Sequence, residues 1–131
     1  MKVIATDIRK SDGEVLVLFE CQAGRGVGKW SKGIDPQNGG VYDVELDIDK
    51  TITDLFLEKI SELPIRSLMV KGDYLFISGL VEDVDGDGMA YFRISSDCLL
   101  MIECGETIFC KGEMITLKAL SQDLLITAQG L

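Results

Sequence analysis

The sequence predicts a mainly β fold, a small antiparallel β-barrel with a two-layer sandwich as the alternative, carrying one short helix near 53–62. Three observations lead there. Short apolar or alternating runs recur along the chain, the separators between them carry turn chemistry, and a single stretch places its apolar residues at helical spacing.

The strand-like runs are Val3 to Ile8, Glu14 to Cys21, Val41 to Asp49, Arg66 to Lys71, Tyr74 to Glu82, Met89 to Ile94, Cys98 to Cys104, Glu113 to Leu120 and Leu124 to Ala128. Between them stand Ser11-Asp12-Gly13, Lys71-Gly72-Asp73, Asp85-Gly86-Asp87-Gly88 and Lys111-Gly112, where Gly or Asp can take the positive φ that tight hairpins need. The first interruption is Gln22 to Gly40. It holds six glycines, with Trp30 among Arg25, Lys29 and Lys32, and reads as a long surface loop and a candidate contact surface. The second is the helical stretch, in which Ile52, Leu55, Phe56, Ile60 and Leu63 share a face, Thr53 or Asp54 caps the start and Pro64 stops the run. A barrel is preferred to a sandwich because closure removes the edges that so many apolar strands would expose.

A chain of 131 residues fits one domain with its own core, so 1–131 is read as a single domain. Hydrophobic residues make up 47% of it, enough to fold rather than remain a solvated acidic tail. The first ten residues show no export signal, and no apolar run approaches the roughly 18 residues that span a bilayer, so the expected setting is cytoplasmic and away from membranes. Cys21, Cys98, Cys104 and Cys110 are then expected as reduced thiols, Cys98 and Cys104 within apolar surroundings.

Composition also excludes chemistry. The chain contains no histidine, which removes His general bases, Ser-His-Asp and Cys-His nucleophiles and His-ligated metals. A net charge of −9 opposes a phosphate backbone, so nucleic acid is not an expected partner. Gly24-Arg25-Gly26-Val27-Gly28-Lys29 has the look of a phosphate loop but the wrong spacing. Its first required glycine falls on Ala23, its Ser/Thr position is Trp30, and no helix follows. Trp30 as a stacking platform for single strands meets the same objection from charge.

The most informative stretch is Tyr42 to Asp49, where apolar and acidic residues alternate without a break. In a strand Tyr42, Val44, Leu46 and Ile48 face the core, while Asp43, Glu45, Asp47 and Asp49 form a row on the other face, successive members about 6.6–6.8 Å apart. Such a row is either a solvated face neutralised by lysines on neighbouring strands or a docking stripe for a basic partner. Acidity is concentrated beyond residue 34, where 18 acidic residues stand against 7 basic ones.

Asp83-Val84-Asp85-Gly86-Asp87-Gly88 fits the first half of a calcium loop, but the position that needs a bidentate Glu is Ile94. Asp83, Asp85 and Asp87 are therefore a weak metal candidate beside the simpler reading of a hairpin turn, and no cofactor is expected.

In size, acidity and setting the chain is similar to small bacterial immunity proteins, although no motif matches residue by residue. The expectation is a non-enzymatic protein-binding domain that meets a basic partner, a toxin or nuclease, through Asp43, Glu45, Asp47 and Asp49 with Trp30 as an aromatic anchor. The alternatives are a small carboxylate- or metal-dependent enzyme and a self-associating structural domain.

Overall fold

The computed structural model of the chain describes residues 1–31, 33–48, 56–59, 67–103 and 109–129. It is a mainly β structure with a closed five-stranded barrel. The barrel strands are β1 (Lys2–Ser11), β2 (Glu14–Cys21), β3 (Gly24–Trp30), β4 (Val41–Ile48) and β11 (Leu124–Ala128). Between β4 and β11 the chain leaves the barrel for β5 (Phe56–Lys59), β6 (Ser67–Lys71), β7 (Tyr74–Val84), β8 (Met89–Ser95), β9 (Cys98–Glu103) and β10 (Met114–Leu120). A 3-10 turn, Ser121–Asp123, leads back into β11.

The barrel circuit runs β1-β2-β3-β11-β4 and returns to β1. Every pairing in it is antiparallel except β3 with β11, where Leu125 faces Lys29 and Ile126 faces Trp30 in parallel register. At the β1–β2 hairpin Asp12 (φ 51°) and Gly13 (φ 79°) both take left-handed backbone, the conformation whose twist matches two paired strands.

The excursion is organised on β7. Strand β10 pairs along one side of it, while β6 and then β8 occupy the other; β9 continues from β8 and β5 from β10. One parallel bridge, Gly24 to Leu68, ties this sheet to the barrel. The approach is so close that a side chain at Gly24 would meet the Leu68 carbonyl, and the glycine's φ of 135° suits no other residue. A single apolar cluster runs through both parts, from Val17, Phe19, Leu46 and Ile126 in the barrel to Ile77, Phe92, Leu100 and Leu117 in the excursion.

Two sequence expectations change. Within the expected loop Gln22 to Gly40, residues Gly24–Trp30 form strand β3, hydrogen-bonded to β2 and β11. Its glycines mark tight packing. A Cβ at Gly26 would run into the Phe19 ring, and one at Gly28 would lie 2.9 Å from Ile126 Cδ1. The helix expected near 53–62 is also corrected, because Phe56–Lys59 is strand β5, paired with Ile115 to Lys118 of β10. Strand β10 spends its other side on β7, and pairing this row with β5 satisfies backbone groups that a helix would leave without strand partners. The other residues of the expected helix lie outside the described residues.

Candidate functional site

Strand β4 takes the alternation that its sequence implies. Val44, Leu46 and Ile48 are buried in the barrel, while Asp43 and Glu45 are exposed and Asp47 is half-buried on the outer face. Asp49 lies outside the described residues. Both neighbours of β4 are barrel strands, so the residues flanking the row are defined by register. Lys2 of β1 stands opposite Asp43, while β11 places Thr127 beside Glu45 and Leu125 beside Asp47. Among the described residues the paired strands thus set one cationic side chain, Lys2, beside the row and none from β11. Among the described residues Asp43, Glu45 and Asp47 make no ion pair. Elsewhere on the barrel the cross-strand charges are matched, Arg25 with Glu20 at 3.2 Å and Lys29 with Glu14 at 3.2 Å.

The unmatched charge is felt within the row. Partial burial, and then the neighbouring Glu45 carboxylate, hold the Asp47 carboxyl above its ordinary value. Glu45 and Asp47 form one wall of a cleft of about 360 Å³, whose other wall is the β8–β9 hairpin. That wall carries Leu99 and Met101, 38% and 48% exposed, and Asp97. Asp97 accepts a 2.7 Å hydrogen bond from the Ser95 hydroxyl, and this bond, helped by the Lys2 backbone amide, holds its carboxyl below the ordinary value. The cleft therefore sets carboxylates against exposed apolar side chains, a lining suited to a basic residue with a long apolar stem. Leu99 and Met101 could not be singled out in the sequence. Cys98-Leu99-Leu100-Met101-Ile102 is apolar throughout, so its hydropathy does not say which alternate residues face out.

Trp30 lies elsewhere. It is only 7% exposed, sits edge-on to Tyr42 with ring centroids 5.1 Å apart, and donates its indole N–H to the Ile34 carbonyl at 2.7 Å. The expected exposed anchor is thus a largely buried residue at the end of β3, and the surrounding segment is tied down. Gly39 donates to the Ala5 carbonyl, Ala5 to Gly40, and the Gln37 amide to the Tyr42 hydroxyl.

The Asp83–Asp87 segment forms a turn in which Asp85 is the staple. One of its carboxylate oxygens accepts from the Asp87 and Met89 amides, at 2.9 and 3.1 Å, and the other from the Tyr91 hydroxyl at 3.0 Å. Those bonds, the Met89 amide first, hold its carboxyl below the ordinary value. Asp83 accepts from the Val84 amide at 2.9 Å. Among the described residues no group of three His, Cys, Asp or Glu is placed to hold a metal ion. Cys21 and Cys98 are free thiols, and burial pushes the Cys98 thiol up to about 12, far from a reactive thiolate. Among the described residues no helix is long and apolar enough to cross a membrane.

Comparison with known protein families, with curated proteins and with solved structures finds no match to this chain, so the β4 face and its cleft are the grounds on which function is argued.

Proposed function

We propose that the chain is a non-enzymatic protein-binding domain that presents the acidic face of β4 to a basic protein partner, in its most specific form as an immunity-type inhibitor of a basic toxin or nuclease acting in the cytoplasm. The observation that carries this reading is the unneutralised row. Asp43, Glu45 and Asp47 point outward from a strand held on both sides, and among the described residues of the two paired strands Lys2 is the one cationic side chain set opposite them. A fixed row of like charge costs the free protein some repulsion and raises the rate at which a basic surface finds it. Leu99 and Met101 beside it supply the apolar contact that turns an encounter into a complex.

The competing reading is a small carboxylate enzyme, and the elevated Asp47 carboxyl in a cleft is the observation on its side. Against it, Asp43 and Glu45 are exposed, whereas acid–base chemistry needs carboxylates converging on an enclosed substrate.

The experiment is a capture from the source cells with tagged protein, wild type against a variant with Asp43, Glu45, Asp47 and Asp49 all changed to Ser. The reading expects one basic protein, stoichiometric on the wild type, lost from the variant and released by salt. Equal capture by both proteins, or by neither, removes it.

A further inference from the structure

A hollow of about 690 Å³ opens at the end of the barrel where the β1–β2 turn, the end of β3 and the segment following it converge. That size suits a small organic molecule. Its apolar lining is Val15, Trp30, Ile34, Pro36 and Leu125, with Ile34 still 45% exposed. The Trp30 indole N–H is already spent on the Ile34 carbonyl, so what Trp30 offers an occupant is ring surface and not a hydrogen bond.

The charges around the hollow choose the kind of occupant. Lys29 lies 3.2 Å from Glu14, so the one described cation in the lining is matched within it. Asp35 is exposed and makes no ion pair among the described residues. Among the described residues of the lining the surplus charge is therefore negative, carried by Asp35, inside a molecule whose net charge of −9 already draws cations toward it. We propose that this hollow binds a small organic cation with an apolar body, an alkyl- or arylammonium, its charge at Asp35 and its body against Trp30, Ile34 and Leu125. An aromatic ring beside a cation's path adds to the attraction that Asp35 provides. The site is separate from the Asp43–Glu45 end of the β4 row, and it stands whether or not that row docks a protein.

The chain has a single tryptophan, so its fluorescence reports on this hollow directly. The experiment titrates phenethylammonium chloride into the full chain and follows Trp30 emission, with 2-phenylethanol as the uncharged analogue, on wild type, Asp35→Asn and the double variant Asp43→Ser/Glu45→Ser. A saturable change with the ammonium compound is expected, about tenfold weaker with the alcohol and about tenfold weaker in Asp35→Asn, with the double variant unaltered. Circular dichroism confirms that Asp35→Asn is folded. No saturable change with the ammonium compound overturns the proposal, as does equal binding of ammonium and alcohol. Loss in the double variant with retention in Asp35→Asn overturns it too, because the cation would then sit on β4.

Discussion

Strands β3 and β4 flank the same strand, β11, and close the same barrel, yet their sequences share almost nothing. In β4 the inward face is written in hydropathy, Val44, Leu46 and Ile48 against Asp43, Glu45 and Asp47. In β3 it is written in size. Gly26 and Gly28 face inward because the Phe19 ring and the Ile126 side chain fill the space where their Cβ atoms would be. A narrow barrel needs both devices, since an interior lined by large side chains from every strand would not close. The same contrast divides roles. The large residue of β3, Trp30, is drawn inward, while β4 turns an unmatched acidic row outward.

Three perturbations bear on this contrast. The largest effect is expected from Trp30→Ala, which leaves a hole beside Tyr42 and removes the hydrogen bond to the Ile34 carbonyl. Denaturant melts should show a loss of about 3–5 kcal/mol. A loss under about 1 kcal/mol, within the range of ordinary surface changes, would mean that Trp30 is an exposed residue after all.

Next comes Gly26→Ala. One methyl group aimed at the Phe19 ring should destabilise the fold by about 1–3 kcal/mol. Combining it with Phe19→Leu should cost less than the sum of the two single changes, because the smaller side chain makes room. Strict additivity would show that Gly26 serves backbone flexibility and not the Phe19 contact.

The smallest effect is electrostatic and has a sign. The Asp47 carboxyl is raised by burial and by Glu45, so its charge is a cost to the folded state. Asp47→Asn should then be slightly more stable than wild type at neutral pH, and the gap should close as pH falls through the raised value into the ordinary carboxylate range. Asp85, lowered by its amide and Tyr91 hydrogen bonds, must behave oppositely. Its contribution is present above the ordinary carboxylate range and is lost as pH falls through its folded value, so Asp85→Ala should be less stable than wild type at neutral pH and converge with it in acid. Thermal melts of the two variants across pH decide the matter, and gaps of the same sign would contradict it.

This contrast also explains what could be read from the sequence. Within the described residues each run of alternating or continuous apolar residues became a strand, and the alternation of β4 was legible at Asp43, Glu45 and Asp47 because period-two alternation has one structural meaning. Strand β3 was not legible, since glycine signals a turn by composition and a strand only through what packs on it, here Phe19 and Ile126. Strand β5 was misread because Phe56 at helical spacing from its neighbours is a local signal, whereas the open side of β10 is a tertiary one. The cleft was legible on one wall only. Nothing local joins Glu45 and Asp47 to Leu99 and Met101, which lie about fifty residues further along the chain and meet them across the boundary between barrel and excursion.

The most direct measurement is the association rate constant of the chain with its captured basic partner, taken as a function of ionic strength for wild type and for Asp43→Lys/Glu45→Lys. The double reversal leaves the buried face of β4 untouched. The account predicts slower association for the reversed protein and a much flatter salt dependence, with dissociation less affected. Association rates and salt slopes that coincide for the two proteins would contradict it and take the acidic face of β4 out of the interface.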